Sequence, residues 1–138
     1  MRDGRVPSDF ASYILKKNNL VLFSNGRAKR SFCYIADACI GYLNILSLTN
    51  YRVLNIGNAS EITIYKLAKI YRNISEKIFN FKPKIVYKIN KDINYLKDSP
   101  TRRCPDLSNA SKIIKYKAKI SIYEGVKRYL EFLKNEKK

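Results

Sequence analysis

The chain has 138 residues, the length of one domain, and 46% of them are hydrophobic, which excludes a disordered chain. No apolar run approaches membrane-spanning length, so we expect no transmembrane helix and no membrane partner. The 28 lysines and arginines outnumber the 11 acidic residues and give a net charge of +17, which raises the question of a phosphate-bearing partner.

Histidine is absent from the sequence, which excludes every histidine-based catalytic triad and removes most zinc sites. The three cysteines, Cys33, Cys39 and Cys104, lack metal-ligand spacing, so we expect no metal. Residues 1–10 are charged and contain no apolar stretch, so they do not have the pattern of a secretory signal. Free thiols without such a signal favour the reducing cytoplasm.

The high positive charge has two explanations at this stage. One is a small basic nucleic-acid-binding module, in which phosphate neutralisation gives affinity and the eleven tyrosines stack on bases. The other is a composition bias, because lysine, isoleucine and asparagine are all abundant and the lysines are spread along the chain. We favour the second, together with a few arginines that bind phosphate, and keep nucleic-acid binding as the alternative function.

Helical and extended patterns alternate along the chain. Helices are predicted where a capping residue precedes apolar residues at helical spacing, over residues 8–17, 37–48, 64–79, from 106 or 108 to 116, and from 121 to 135. Strands are predicted over 20–23, 31–35, 51–56 and 84–89. Residues 90–101 form the longest aperiodic stretch, and such loops are often functional. The alternation predicts an α/β fold, or an α+β-like fragment of one.

The stretch from Gly26 to Asp37 combines a turn, a group of cations and a helix start. Ser24-Asn25-Gly26 predicts the turn, and Asp37 is expected to favour the following helix as a cap rather than to act in catalysis. Arg30 stands where the turn gives way to ordered structure. Its planar, permanently charged fork suits bidentate contact with phosphate.

Several separated blocks occur in the order of one known family. They are Asp3-Gly4-Arg5-Val6, Arg30-Ser31-Phe32-Cys33-Tyr34-Ile35 with Asp37, Asn55-Ile56-Gly57-Asn58 with Glu61-Ile62, Arg102-Arg103-Cys104-Pro105-Asp106, and the closing helix after Ser121. In this order and spacing they resemble the C-terminal half of extended short-chain dehydrogenases/reductases, the NAD-dependent epimerases and dehydratases of nucleotide sugars. Within that family the chain is most similar to UDP-glucuronate decarboxylases and dTDP-glucose 4,6-dehydratases.

The resemblance implies that arginines of two blocks hold the diphosphate of a UDP- or dTDP-sugar. These would be Arg30 and Arg103, with Arg102 as the less favoured member of the adjacent pair. A diphosphate needs guanidinium groups from different chain segments, because no single loop can surround it. Holding the inert nucleotide firmly would also position the sugar for chemistry elsewhere.

Further nucleotide contacts follow from the same resemblance. Arg5 is similar to an arginine near the nucleotide in the decarboxylase branch. The predicted strand over residues 20–23, which carries Val21 and Phe23, would lie beside the base and ribose and contact them partly through its backbone.

The sequence also departs from the family pattern. No glycine-rich cofactor fingerprint occurs, and the family's catalytic Tyr-x-x-x-Lys lies upstream of the blocks found here. Tyr13 with Lys17, and Tyr65 with Lys69, have that spacing, but both pairs fall on predicted helices downstream of the family's position, and we interpret them as coincidence. The sequence therefore assigns no catalytic and no cofactor-binding residue.

We expect residues 1–138 to be a nucleotide-sugar-binding C-terminal region from which the N-terminal NAD-binding Rossmann part is absent. The resemblance implies NAD in the full-length family enzyme, none bound by this chain alone, and the missing half as a partner. It is compatible with a homodimer of the full enzyme. The nucleotide, the sugar and the choice among decarboxylation, dehydration and epimerisation stay open, and with them the enzyme class.

Overall fold

A computed structural model describes residues 5–50, 53–88 and 100–136 of the chain. Its helices and strands are α1 (Val6–Leu15), β1 (Leu20–Leu22), β2 (Lys29–Ser31), α2 (Ile35–Leu46), β3 (Glu61–Thr63), α3 (Ile64–Phe79), β4 (Ile85–Tyr87), β5 (Arg102–Arg103), α4 (Ser108–Ile114) and α5 (Ile122–Asn135). This mixture of helices and short strands confirms the predicted fold class. Among the described residues, no helix is both long and apolar enough to cross a bilayer.

The two longest helices begin at the capping residues that the sequence indicates. Thr63 Oγ1 accepts a hydrogen bond from the backbone N–H of Lys66 at 3.1 Å, and Ser121 Oγ accepts one from the N–H of Glu124 at 3.2 Å. The Glu124 carboxylate instead accepts a bond from Arg128 Nε at 2.7 Å, so the predicted capping box is present only in its serine half. The predicted bounds of α3 and the predicted end of α5 are confirmed.

Two small sheets contain the five strands found among the described residues. β1 and β4 pair in parallel, with Leu20 opposite Ile85. β2 is the central strand of the second sheet, antiparallel to β3 and parallel to β5. Both parallel pairs join segments that are distant in the sequence, so the sheets connect residues 20–31 with the later strands at 85–87 and 102–103.

The hydrophobic core lies where α1, α3 and α5 pack around β1. Phe10 of α1 meets the ring of Tyr71 edge-on, with centroids 5.5 Å apart and planes inclined by 71°. The buried members of this core are Phe10, Ala11, Ile14, Leu20, Leu22, Leu67, Ala68, Tyr71, Ile74, Val126 and Leu130. The apolar stripes of α1, α3 and α5 therefore all face inward, as the sequence predicts.

The boundaries around β2 differ from the prediction. The strand is Lys29–Ser31 instead of 31–35, and α2 already begins at Ile35. Asp37 therefore lies inside the first turn of α2 and is buried, where its Oδ2 accepts hydrogen bonds from the backbone N–H groups of Lys119 (3.1 Å) and Ile120 (2.9 Å). Its place in the first turn is the one expected to favour α2 through the helix dipole, but the expectation that it caps the helix is wrong, because its carboxylate holds the segment before α5 against α2.

The predicted strand over residues 51–56 does not form in its described part, 53–56. A strand requires a neighbouring strand to accept and donate its backbone hydrogen bonds, and alternating apolar residues alone do not provide one. Glu61–Thr63, expected only as the approach to α3, is instead strand β3. Residues 89–99, which hold the end of one predicted strand and most of the long aperiodic stretch, lie outside the described residues.

Candidate functional site

The three-stranded sheet brings Arg30 and Arg103 together. Arg30 on β2 is the register partner of Arg103 on β5 in a parallel pair. Neighbouring strands lie about 4.8 Å apart, and side chains of register partners point to the same face of a sheet. The two arginines that the resemblance selected for the diphosphate thus project side by side from one face, although the sequence separates them widely.

The opposite face of the same sheet carries Arg102. Its Nε donates to both carboxylate oxygens of Glu61 on β3, at 2.9 and 3.0 Å, across the central strand. These hydrogen bonds raise the pKa of the Arg102 guanidinium above its ordinary value. Arg103, in contrast, forms no ion pair with any described residue. Of the two adjacent arginines, Arg103 is therefore the one whose charge none of the described acidic side chains neutralises.

The turn before β2 fixes the position of Arg30. Gly26 has a φ of +70°, and a Cβ there would lie 3.1 Å from Tyr65 Cβ, so the turn requires glycine at this position. The carbonyl groups of Gly26 and Ala28 accept hydrogen bonds from the backbone N–H groups of Tyr65 (3.0 Å) and Ile64 (3.1 Å). The turn is thus bonded to the start of α3, and Arg30 follows on a strand held on both sides.

A second set of contacts supports the sheet from the loop after α2. The hydroxyl of Ser31 donates to the carbonyl oxygen of Asn58. Asn55 Nδ2 donates to the carbonyl oxygen of Asp106 at 3.0 Å, and the Cys104 thiol lies 3.6 Å from the carbonyl oxygen of Ala59. The loop between α2 and β3 therefore contacts both β2 and the segment that follows β5.

The other predicted site residues lie on separate elements. Val21 is the half-buried middle residue of β1, opposite Val86, and Phe23 follows the strand with its ring partly exposed. Val21 and Phe23 share one face, because the alternate residues Leu20 and Leu22 are buried in the core. Arg5 is exposed and precedes α1, where its carbonyl oxygen accepts a hydrogen bond from the N–H of Asp9 at 3.0 Å.

A cavity of about 250 Å³ opens elsewhere, between the segment after β2 and helices α3 and α5. Phe32 and Tyr34 form one wall, and Tyr71, Gly125 and Tyr129 contribute to the others. Its lining is apolar and contains none of the six predicted site residues. A diphosphate requires cationic or hydrogen-bonding groups, so this cavity does not suit one.

Sequence reasoning missed the residues that organise the arginines. Glu61 was assigned no role, yet it binds Arg102 and so distinguishes it from Arg103. The alternation of Glu61 and Thr63 about Ile62 is the only signal that could have indicated β3, and a three-residue run is too short to decide it. No feature of the local sequence indicates that β5 pairs with β2.

A model of the NAD dependent epimerase/dehydratase family matches residues 1–57 of the chain. UDP-glucuronic acid decarboxylase 1 of Arabidopsis thaliana is 28% identical over 135 residues, which are 96% of this chain and 28% of that protein. The chain belongs to the NAD-dependent epimerase/dehydratase family. UDP-glucuronic acid decarboxylase 6 of the same plant is 30% identical over 124 residues, covering 90% of this chain and 34% of the relative. The chain thus spans about a third or less of the curated family members it matches.

Solved structures share the fold. UDP-glucose 4-epimerase from Thermotoga maritima, crystallised with UDP-glucose, superposes with a TM-score of 0.83 at 21% identity, over 97% of this chain and 40% of that one. UDP-glucuronic acid 4-epimerase from Bacillus cereus, in complex with UDP-glucuronic acid and NAD, gives a TM-score of 0.78 at 21% identity. The match covers 98% of this chain and 41% of the epimerase. At these identities the likeness establishes the fold of the family's sugar-nucleotide enzymes, and the larger part of each epimerase lies outside the matched region.

The described residues do not fit a dinucleotide cofactor. Such a site needs a glycine-rich turn between a strand and the N-terminus of a helix. β1 leads through its glycine turn to another strand, β2 reaches α2 without glycine, and β3 runs directly into α3. In the described part of the chain, β5 is likewise joined to α4 by a segment without glycine.

Proposed function

We propose that this chain is the nucleotide-sugar-binding part of an epimerase/dehydratase-family protein and that it holds the diphosphate of a UDP- or dTDP-sugar between Arg30 and Arg103. The support is the in-register pairing of these arginines on β2 and β5, which presents two guanidinium groups on one face. A planar guanidinium bonds two phosphate oxygens at once, so adjacent forks match adjacent phosphates.

The charges around the pair favour this role for one face of the sheet. On the other face, Glu61 binds Arg102, so that arginine has a smaller electrostatic attraction for phosphate to offer. Arg102 and Glu61 would instead fasten β5 to β3 and keep Arg103 in register with Arg30. We assign Arg102 this positioning role and Arg103 the contact with phosphate.

The base and ribose would lie beside β1 in this proposal. Val21 and Phe23 share the face of β1 that the core does not cover. An apolar valine and a partly exposed aromatic ring suit the flat faces of a nucleoside, while the strand backbone supplies hydrogen-bonding groups. Arg5 would approach the same nucleotide from the start of α1.

The sugar chemistry would belong to the part of the family fold that lies beyond this chain. When bound there, NAD supplies a hydride acceptor for oxidation of the sugar. This chain would contribute position: a nucleotide held at its diphosphate leaves the sugar as the only part of the substrate that can reach the reaction centre. The relatives are named as decarboxylases and the solved neighbours as epimerases, so the reaction itself stays open among those of the family.

Titration calorimetry of the chain with UDP tests the clamp. We expect Arg30→Ala and Arg103→Ala each to weaken UDP binding by about tenfold or more, since a hydrogen bond to a charged group contributes about 1.5–3 kcal/mol. Arg128→Ala is the matched control, because it removes the same charge from α5, where Arg128 is paired with Glu124. Unchanged affinity in both site variants would refute the clamp. Tight, salt-sensitive binding of single-stranded RNA without UDP binding would favour the nucleic-acid alternative.

A further inference from the structure

Two tyrosine rings stack at one end of the sheet that β1 and β4 form. Tyr65 lies in the first turn of α3 and Tyr87 is the last residue of β4, and their ring centroids are 6.4 Å apart with planes inclined by 24°. The ammonium nitrogen of Lys69 lies 4.7 Å from the centroid of the Tyr65 ring. Tyr87 is 55% exposed, so part of its ring is accessible to another molecule.

This tyrosine pair lies apart from both sites described above. Tyr87 is the register partner of Leu22, and register partners of neighbouring strands point to the same face of a sheet. Val21 and Phe23 alternate with Leu22 and therefore point to the other face, where the base and ribose are proposed to lie. The lining of the apolar cavity includes neither tyrosine of the pair. The pair therefore belongs neither to the proposed nucleotide site nor to the cavity.

Backbone hydrogen bonds bring further parts of the chain to the tyrosine pair. The carbonyl oxygen of Gly26 accepts a bond from the N–H of Tyr65 at 3.0 Å, which places the turn before β2 beside the first ring. The carbonyl oxygen of Leu22 accepts one from the N–H of Lys88 at 2.8 Å, which fixes the residue after the second ring. The turn, the start of α3 and the end of β4 therefore meet at the two rings.

The charged residues of these three segments are all cations. Residues 16–30, 62–72 and 82–88 contain five, three and three lysines or arginines, and all 11 acidic residues of the chain lie elsewhere in the sequence. Lys82 is paired with Glu76 at 2.9 Å. Four exposed cations adjoin the rings or the turn and form no ion pair with any described residue. They are Arg27, Lys66, Lys69 and Lys88.

We propose that the tyrosine surface, formed by Tyr65, Tyr87 and these four cations, binds single-stranded nucleic acid. A base would stack on the exposed ring of Tyr87, and backbone phosphates would lie on the cations. Exposed aromatic rings stack with any base, and cations beside them follow the phosphate backbone, so such a surface binds without sequence preference. Each cation would neutralise part of the backbone charge and release counterions.

The chemistry of the surface distinguishes this partner from other anions. A double helix keeps its bases stacked inside, so it could not place one on Tyr87. A membrane-binding helix buries a broad apolar face, whereas the exposed residues of α3 beside Tyr65 are Lys66 and Lys69. A composition bias toward lysine accounts for the number of cations, but not for the stacked rings among them or for the missing acidic residues. The inference goes beyond nucleotide-sugar binding and does not depend on Arg30 and Arg103.

Fluorescence anisotropy of a labelled oligouridylate of about 12 nucleotides, titrated with the full chain, tests the proposal. We expect the logarithm of the binding constant to fall linearly with that of the salt concentration, with a slope of about −3 for four neutralised phosphates. Tyr87→Ala should weaken binding by about fivefold or more, because it removes the ring on which a base stacks. An oligothymidylate of the same length distinguishes RNA from DNA as the partner.

Tyr42→Ala is the matched control for the ring. Tyr42 on α2 is 56% exposed, nearly the same as Tyr87, and its removal should leave the affinity unchanged. Tyr87→Phe keeps the ring without the hydroxyl and should bind within about twofold of the unsubstituted chain. Lys69→Ala should weaken binding and make the salt slope shallower by about 0.7. Lys127→Ala, which removes a cation that is paired with Glu131, should change neither.

Absence of binding to both oligonucleotides at low salt overturns the proposal. Equal affinity of the unsubstituted chain and Tyr87→Ala overturns it too, because charge alone would then account for binding. Heparin carries negative charge without bases, so an equally large effect of Tyr87→Ala on heparin binding would contradict base stacking. Equal affinity for a duplex of the same length would contradict the single-stranded partner.

Competition with UDP separates this inference from the nucleotide proposal. Saturating UDP should not displace the oligonucleotide. Arg30→Ala should weaken UDP binding by about tenfold or more and change the oligonucleotide affinity by less than about threefold. Displacement by UDP would mean that both ligands share the arginine site, and it would overturn the separate surface. Absence of oligonucleotide binding with UDP binding intact would overturn the tyrosine surface alone, and the reverse result would refute the clamp alone.

Discussion

The helix pair α3 and α5 and the single helix α2 bury opposite kinds of residues. The pair turns large apolar side chains inward, among them Leu67, Tyr71 and Leu130, and exposes its charges. In α2 the inward side holds a carboxylate and a glycine, Asp37 and Gly41, while the large apolar residues face outward. The first region forms a closed core within this chain, whereas the second leaves its large apolar residues exposed.

The two regions are also held by different forces. Apolar burial holds α3 against α5. In α2 the Asp37 carboxylate accepts hydrogen bonds from two backbone N–H groups, and Gly41 lets the side chains of Ile56 and Tyr116 approach the helix closely. The comparison teaches that an apolar helix need not be a core helix, since what its small and polar residues contact decides which side faces inward.

The largest difference should appear on truncating one leucine in each region. Leu130 is 0% exposed, and we expect Leu130→Ala to lower the free energy of unfolding by about 2–5 kcal/mol through lost burial and the remaining cavity. Leu46→Ala in α2 should change it by less than about 0.5 kcal/mol in the isolated chain. Urea unfolding followed by circular dichroism measures both. Equal effects of the two substitutions would contradict the distinction between the regions.

The sequence predicts the first region well because its signals are local. The bounds of α3 follow from Thr63, whose hydroxyl caps the helix, and from apolar residues at helical spacing up to Phe79. The strand over 20–23 is found at Leu20–Leu22 for a similar reason: a short apolar run ends at a turn. In such segments the residues that decide the structure lie within a few positions of one another.

The second region and the arginine sheet could be predicted only in part, because their partners are remote. Asp37 gives the same sequence signal as a helix cap, whereas its role depends on Lys119 and Ile120 near the other end of the chain. Arg30 could be proposed as a phosphate ligand from its turn, but nothing local indicates that β5 pairs with β2. The sequence pattern of residues 51–56 favours a strand, but residues 53–56, the part that the structure describes, do not form one.

A smaller effect should follow from removing the carboxylate beneath α2. Asp37→Ala leaves the backbone N–H groups of Lys119 and Ile120 without their acceptor, which should cost about 1–3 kcal/mol of stability. Asp37→Asn keeps one oxygen acceptor in the same place and should recover part of the loss. Urea unfolding gives the stability, and amide exchange at 119 and 120 shows whether the loss is local. No change in either measurement for Asp37→Ala would show that polar contacts do not hold this region.

The smallest expected effect is a loss of stability at alkaline pH. Each region contains one buried tyrosine that contributes to it, Tyr71 in the core and Tyr116 beneath α2. Burial raises the pKa of Tyr71 in the core, with a further contribution from Tyr129, and burial also raises that of Tyr116 beneath α2. Because the folded-state pKa is raised, the unfolded chain loses the proton more readily, so stability is fully present below pH 10 and falls above it. At pH 11, one unit above the ordinary value, Tyr71 alone should account for about 1.4 kcal/mol.

Substituting phenylalanine for each tyrosine measures how much that tyrosine contributes to the loss of stability at alkaline pH. Tyr71→Phe keeps the edge contact with Phe10 and removes the ionisable group, so its stability should fall less between pH 9 and pH 11 than that of the unsubstituted chain. Tyr116→Phe should also flatten the decline, but from a lower starting stability, because it removes the hydrogen bond to Gly57. Parallel pH profiles for the unsubstituted chain and Tyr71→Phe would mean that Tyr71 ionises as readily in the folded protein as in the unfolded chain. The core around α3 would then admit water, and its contrast with α2 would be lost.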